Sequence, residues 1–144
     1  MRKLIFLVLI LISNLSAETI FAKELPSIDK PREIIFGINK GGDREIDHAL
    51  STANNLLKFY GPEKVHMRIV AYYDGIKVLL AKEKKTALRV DALKQYGVEF
   101  VACGNTMTTK KIDKKELIDD VEIVTAGIAE IIERTKDGWI NINP

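Results

Sequence analysis

The most reactive side chain in this sequence is its single cysteine, Cys103, which ends a short apolar run at residues 98–103. Gly104, Asn105 and Thr106 follow it directly, and a glycine lets another part of the backbone approach closely. If the amide groups of residues 105–107 open a helix, they would favour the thiolate, which is the nucleophilic form. A buried packing cysteine is the alternative, because free cysteine is among the most buried residue types. The residues alone leave both alternatives open.

Other side chains indicate a site less directly. Tyr72 and Tyr73 end the second apolar run, and we expect them to wall a pocket beside Cys103. The alternative packs one tyrosine in the core and exposes the other. A Cys–His catalytic pair is disfavoured, because His48 falls in a predicted helix and His66 begins a predicted strand, at the opposite edge of the sheet.

The composition excludes several classes of protein. One cysteine cannot form an intrachain disulfide, and with two histidines there is no zinc-like ligand cluster, so no metal is expected. No organic cofactor is expected either, since the chemistry of a reactive thiol needs none. Lys and Arg number 22 against 20 Asp and Glu. Removal of residues 1–17 would take away Arg2 and Lys3 and leave 20 against 20. A neutral chain lacks the positive surface that binds phosphates, so nucleic acid is not expected as a partner.

The first residues have the pattern of a secretory signal peptide. Three residues with two positive charges precede nine apolar residues at 4–12, which is well short of the ~20 that span a bilayer. Cleavage is predicted after Ala17, with Ala22 as the alternative, and an uncleaved anchor is the competing interpretation. The prediction places the mature protein in the periplasm or outside the cell, without stable membrane insertion.

The rest of the chain is predicted to be a linker and one domain. Residues 18–32 carry Pro26, Pro31 and scattered charges without periodicity, which is typical of a linker or extended arm. Residues 33–144 are enough to bury one core.

Short apolar runs alternate with amphipathic stretches along this domain. Strands are predicted at residues 34–38, 65–73, 98–103, 121–124 and 139–142. One helix is expected to bury Ile46, Leu50, Ala53, Leu57 and Tyr60; another Leu88, Ala92, Leu93 and Tyr96; the last Ile128, Ile131 and Ile132. Asp113 and Glu116 have the spacing of a capping box and predict a short helix between the third and fourth strands.

This alternation predicts an α/β fold with a three-layer, doubly wound, mostly parallel five-stranded sheet. Ligands of such sheets bind beyond the carboxyl ends of the strands. Cys103 is expected at that edge.

Several segments resemble the DsrE/DsrF-like family. They are FVACGNTM at residues 100–107, VTAGI at 124–128 and GWININP at 138–144, with NNLL at 54–57 and GIKVLL at 75–80. The resemblance covers residues 33–144 and implies a small α/β domain that forms homo- or hetero-oligomers. It also implies a sulfur relay, in which a cysteine carries sulfur as a persulfide between partner proteins.

Carried onto this sequence, the resemblance makes Cys103 the catalytic residue, with Gly104, Asn105 and Thr106 as its loop. Two features differ from the relay proteins, which are cytoplasmic: this chain has a predicted export signal, and Tyr72-Tyr73-Asp74 stands where many relatives have His or Tyr followed by Gly. The first hypothesis is an exported sulfane-sulfur carrier with donor and acceptor proteins as partners. The second is a non-catalytic module for binding a small ligand or for assembly. A homo-oligomer is expected, because the apolar last strand with Trp139 needs cover.

Overall fold

A computed structural model describes residues 18–144, and the predicted signal segment at residues 1–17 lies outside the described residues. Five strands form one sheet in the order β4-β3-β2-β1-β5. Every pair of neighbouring strands is parallel, so the fold is the predicted one with a sheet that is wholly rather than mostly parallel. The strands are β1 Arg32–Ile38, β2 Val65–Ala71, β3 Glu99–Cys103, β4 Glu122–Val124 and β5 Ile140–Ile142.

Four α-helices connect the strands, and three 3-10 segments lie between them. The helices are α1 Asp43–Tyr60, α2 Lys84–Lys94, α3 Gly104–Lys110 and α4 Gly127–Lys136. The 3-10 segments are Pro62–Lys64, Tyr73–Leu79 and Lys114–Glu116. Among residues 18–144, no helix combines the length and the apolar character needed to cross a membrane.

The sheet is covered on both faces, which explains why its central strands are apolar at consecutive positions. The larger core lies under α1, α2 and α3 and contains Phe36, Leu50, Met67, Val90 and Met107. The smaller core lies under α4, and its buried members are Ile35, Val70, Val101, Ile131 and Trp139. The three layers predicted from the sequence are therefore confirmed, with unequal cover on the two faces.

The predicted apolar stripe of α1 is buried, but those of α2 and α4 are partly wrong. In α2 the buried residues are Val90 and Leu93, while the predicted Leu88, Ala92 and Tyr96 are exposed. Apolar residues lie on two sides of this helix, so periodicity alone could not choose the buried side. In α4 the predicted Ile128 and Ile132 are about half exposed. One short helix covers that face of the sheet, so only a narrow stripe of its residues is buried.

Several strand boundaries also differ from the predicted ones by one or two residues, and the chain between β3 and β4 differs more. β2 ends at Ala71 rather than at residue 73, because Tyr73 adopts a left-handed backbone conformation with φ of 50° and begins a 3-10 segment. Between β3 and β4 the chain forms α3 immediately after Cys103, before the capping box. The capping box of Asp113 and Glu116 is present, but it begins a 3-10 turn of three residues.

The segment before β1 contacts the amino-terminal end of the sheet. The Phe21 ring stacks on Phe59 near the end of α1, with ring centroids 5.1 Å apart. The Arg32 guanidinium donates hydrogen bonds to the carbonyl oxygens of Ala22 and Glu24. Since α1 runs antiparallel to β1, these contacts lie at the pole of the domain opposite the carboxyl ends of the strands.

Candidate functional site

Cys103 lies where two neighbouring strands send their helices to opposite faces of the sheet. It is the last residue of β3 and pairs with Val124, the last residue of β4. After β3 the chain continues into α3, on the face of the larger core, whereas after β4 it continues into α4, on the other face. In open parallel sheets such a reversal leaves a crevice in which ligands bind. The cysteine is therefore at the position where this fold most often builds a site.

The sulfur of Cys103 contacts the beginning of α4. The Gly127 amide donates a hydrogen bond to Cys103 Sγ, with a nitrogen–sulfur distance of 3.3 Å. A Cβ atom on residue 127 would lie 2.9 Å from Val70 Cγ1 and 3.1 Å from Cys103 Cβ, so only glycine lets the helix approach this closely. The free amide groups of a helix N-terminus favour negative charge. The sulfur of Cys103 therefore lies directly in an environment that favours its negatively charged form.

The surroundings of Cys103 change its acidity in two opposing ways. Burial has the largest single effect and raises the pKa of the thiol. The Thr106 hydroxyl and the backbone amides of Gly127, Thr106 and Asn105 lower it, and together they outweigh the burial. The pKa of Cys103 therefore lies below the ordinary value for a thiol, which increases the thiolate fraction at neutral pH.

The three residues after Cys103 form the first turn of α3 rather than the expected loop. The Asn105 amide donates to the Thr125 carbonyl oxygen at 3.0 Å, which ties the start of α3 to the end of β4. A Cβ atom on Gly104 would lie 3.0 Å from the Val124 carbonyl oxygen, so glycine permits this close approach too. Gly104, Asn105 and Thr106 thus lie beside the sulfur, as their sequence positions indicated.

The two tyrosines have different environments. Tyr72 follows Ala71, whose partner in β3 is Ala102, so Tyr72 lies next to Cys103 across the two strands. Its ring packs against the smaller core, over Gly37. Tyr73 is exposed, and its backbone amide donates to Thr106 Oγ1 at 3.0 Å. One tyrosine packs and the other faces solvent, while both border the Cys103 region.

Access to the sulfur is restricted. The whole residue Cys103 is only 6% exposed. Five surface clefts of about 250 to 620 Å³ are lined by other residues. A movement of the beginning of α4, which contacts the sulfur, would increase its exposure to a reagent or partner.

Neither histidine contacts Cys103. His48 is exposed on α1 and lines a cleft of about 250 Å³ beside the ends of β1 and β5. His66 lies near the beginning of β2, where its Nε2 is 2.8 Å from Glu99 Oε1 and its ring packs beside Trp139. Within residues 18–144, no group of three or more His, Cys, Asp or Glu side chains is arranged to hold a metal ion.

Two features were not anticipated from the sequence, one at this site and one towards the opposite end of the same strands. Gly127 stood in the VTAGI segment without a role, although a glycine before an apolar helix is compatible with close packing. Arg68 was also overlooked, although an arginine inside the apolar run VHMRIVA is unusual. Its guanidinium is nearly buried and pairs with Glu99, Glu122 and Glu130.

Burial alone would lower the pKa of Arg68. The hydrogen bonds and charges of these glutamates raise the pKa by more than burial lowers it, so the guanidinium stays protonated. Burial of Glu99 also disfavours its charged form, which for a carboxyl group raises the pKa. Its hydrogen bonds with His66 and Arg68 outweigh that effect and leave the pKa below the ordinary value. Charged pairing of this kind is what makes burial of an arginine tolerable.

The fold and the site together define a class of small α/β proteins with one cysteine at the switch point of a parallel sheet. The family model of the DsrE/DsrF-like family matches residues 34–144. The chain belongs to the DsrE/DsrF-like family, as the resemblance at residues 33–144 predicted.

Two solved structures share this fold. A protein of unknown function, MTH1491 from Methanobacterium thermoautotrophicum, is similar with 28% identity and a TM-score of 0.74, covering 78% of this chain and 99% of that one. The ychN protein from E. coli is similar in fold, with 19% identity and a TM-score of 0.66, over 77% of this chain and 99% of that one. No curated protein matches the sequence.

Proposed function

We propose that this protein is an exported sulfane-sulfur carrier in which Cys103 holds the sulfur as a persulfide. The observation that carries the proposal is the hydrogen bond from the Gly127 amide to Cys103 Sγ at the switch point of the sheet. Amide donors there favour a thiolate, and their partial positive charge suits a persulfide anion for the same reason. Membership of a family associated with sulfur relay supports the same function.

The transfer is a thiol exchange that needs no metal, cofactor or external oxidant. The Cys103 thiolate attacks the outer sulfur of a donor persulfide, R–S–S⁻ or its protonated form. A new S–S bond forms to Cys103, the donor S–S bond breaks, and the donor leaves as a thiolate that takes up any proton released. In the second step an acceptor thiolate attacks the outer sulfur of the Cys103 persulfide, and Cys103 leaves as the thiolate. No net oxidation occurs in either step.

The second candidate function is a non-catalytic module for ligand binding or assembly, and the burial of Cys103 favours it. A residue that is 6% exposed also fits a packing thiol, which no partner reaches. The two functions differ in whether the sulfur of the folded protein can react.

Incubation of the folded protein with glutathione persulfide, followed by intact mass spectrometry, tests the proposal. The carrier should gain the mass of one or more sulfur atoms, and a reductant should remove the gain. The Cys103→Ser variant should gain nothing, since the chain has no other cysteine. Absence of loading, with native Cys103 also resistant to a small alkylating reagent, would contradict the carrier and favour the packing thiol.

Export and assembly are further parts of the proposal. We propose that residues 1–17 direct export to the periplasm or beyond and that cleavage leaves a chain without membrane insertion. The contacts of Phe21 and Arg32 lie at the pole opposite Cys103, so the segment that follows the proposed cleavage site leaves the Cys103 edge uncovered.

We also propose a homo-oligomer, supported by the half-exposed Ile128 and Ile132 on one side of α4. Donor and acceptor proteins would meet the Cys103 edge.

A further inference from the structure

Helix α4 has few apolar contacts to hold it in place. Its buried residues are Gly127 and Ile131, and the other two isoleucines of the helix are about half exposed. Glycine contributes no side chain to the core, so one isoleucine provides most of the apolar anchor. Yet this helix supplies the amide that contacts Cys103 Sγ. Something besides apolar packing must define where α4 begins.

A nearly buried ion-pair cluster provides a second anchor for this helix. Arg68 Nε donates to Glu130 Oε1 at 2.8 Å, and the two side chains are 11% and 14% exposed. The same guanidinium contacts Glu99 in β3 and Glu122 in β4, so it is fixed by the sheet. Arg134 adds a 3.1 Å contact to the same Glu130 oxygen from the next turn. The carboxylate of Glu130 is thereby held against the middle of the sheet.

The position of Glu130 fixes that of Gly127. The two residues are three apart in one α-helix, so they lie on neighbouring turns of the same side. The Glu130 amide donates to the Ala126 carbonyl, which makes the first turn a continuous hydrogen-bonded unit. A carboxylate held at this point therefore limits how far the first amide of the helix can move from the sulfur.

We propose that the Arg68–Glu130 ion pair is a positioning element that keeps the Gly127 amide on the sulfur of Cys103. The inference rests on the proposed function, because it assigns two positioning residues to the same thiol. Neither residue touches the sulfur. Their role is to keep α4 in the place where it stabilises the thiolate and covers it.

Removal of the Glu130 side chain separates positioning from a direct electrostatic effect. Loss of a nearby negative charge, acting through space, would make the thiolate easier to form and lower the pKa of Cys103. Displacement of the Gly127 amide would raise the pKa instead. The sign of the change therefore identifies the cause.

The experiment measures the rate of alkylation of Cys103 by iodoacetamide as a function of pH in the folded protein. For Glu130→Ala we expect the midpoint to rise by about half to one pH unit, a three- to tenfold lower ratio of thiolate to thiol at neutral pH. The plateau rate at high pH should increase, because the cover over the sulfur is looser. Glu130→Gln should have a midpoint at or slightly below that of the parent, since the amide oxygen still accepts from Arg68 while the nearby negative charge is lost. Glu133→Ala is the matched control, because Glu133 is exposed on the same helix.

A midpoint that is unchanged or lower in Glu130→Ala, with the melting temperature reduced, would overturn the inference and leave Glu130 a merely structural residue. Thermal melting and circular dichroism of each variant establish that the measured protein is folded, and Glu130→Met, which fills similar space without an acceptor, keeps the test available if Glu130→Ala does not fold. In that case a midpoint of Glu130→Met above that of Glu130→Gln supports the inference, because both variants lack the charge and only Glu130→Met lacks the acceptor. An equal or lower midpoint contradicts it.

The outcome is also separable from that of the proposed function. A shifted alkylation midpoint in Glu130→Ala without sulfur loading of the parent would contradict only the carrier function. Sulfur loading with no shift of the midpoint would contradict only the positioning role.

Discussion

Replacement of Gly127 by Ala tests the contact between α4 and the sulfur most locally. The added Cβ would lie 2.9 Å from Val70 Cγ1, 3.1 Å from Cys103 Cβ and 3.6 Å from Cys103 Sγ. The two closest neighbours are short side chains of the core, which cannot swing away as the end of a long side chain can. The beginning of α4 must therefore move outward by a few tenths of an ångström, and the 3.3 Å hydrogen bond must lengthen.

The same contacts give the expected loss of stability in Gly127→Ala and the expected rise in the pKa of Cys103. Forcing an extra methyl into a packed site costs about 1–3 kcal/mol of the free energy of unfolding. A hydrogen bond to a charged group is worth roughly 1.5–3 kcal/mol, and a shift of one pKa unit corresponds to about 1.4 kcal/mol. Because the bond is long and would be weakened rather than abolished, we expect the pKa of Cys103 to rise by roughly half to one unit.

The pKa is obtained from the pH dependence of thiolate absorbance in the ultraviolet, with the Cys103→Ser variant as the blank. Gly42→Ala is the matched control, because Gly42 likewise lies at the N-terminus of a helix and its added Cβ would meet only the carboxylate end of Glu45. The control should leave the pKa of Cys103 unchanged. A pKa in Gly127→Ala equal to that of the parent protein, with stability reduced, would refute the view that the Gly127 amide stabilises the thiolate.

Two other predictions concern assembly and acid stability. Ile128→Glu should dissociate the oligomer in sedimentation-velocity measurements. Leu88→Glu should not, although Leu88 is 72% exposed on another helix. A parent protein that is monomeric at all concentrations would contradict the proposed assembly. Because the pKa of Glu99 is lower in the folded protein than in the unfolded chain, its stabilising contribution is present above the unfolded value of about 4.3 and is lost as the pH falls through the folded value. Urea unfolding from pH 6 to pH 3 should therefore show a smaller acid loss for Glu99→Gln, and an identical pH dependence in both proteins would contradict the role of this ion pair.

The order of elements could be predicted because the physical signals for it are local. Consecutive branched residues in β1, the stripe of α1 and the break at Gly61-Pro62 all follow from neighbouring positions in the chain. Parallel pairing then follows from the crossover rule. The position of Cys103 at the carboxyl edge of the sheet could be predicted for the same reason, because Cys103 ends a local apolar run.

The buried side of a helix and the beginning of α3 required information that is not local. Leu88 and Tyr96 are apolar but face solvent, because the sheet lies under a different stripe of α2. The 3-10 turn after Asp113 has a clear capping signal, whereas α3 begins at Gly104 without a side-chain cap. Its first turn is instead supported by the hydrogen bond from the Asn105 amide to the carbonyl oxygen of Thr125, which directly follows the neighbouring strand β4.

The chemistry around the thiol was only partly predictable. The sequence marks Cys103 and the residues after it, but the donor from α4 comes from 24 positions further along the chain. The Arg68 cluster likewise joins β2, β3, β4 and α4. Such convergence is a property of the folded sheet, and a single sequence shows only that an arginine interrupts an apolar strand.

In the proposed function, Cys103 accepts sulfur and passes it on. The most direct test is to load the protein with heavy-isotope sulfur from glutathione persulfide, remove the donor, add an excess of an acceptor thiol, and follow both partners by mass spectrometry. We expect the label to appear on the protein, to leave it as the acceptor gains it, and to be absent throughout in Cys103→Ser. Label that never enters the folded parent protein, or that enters Cys103→Ser equally, would contradict it.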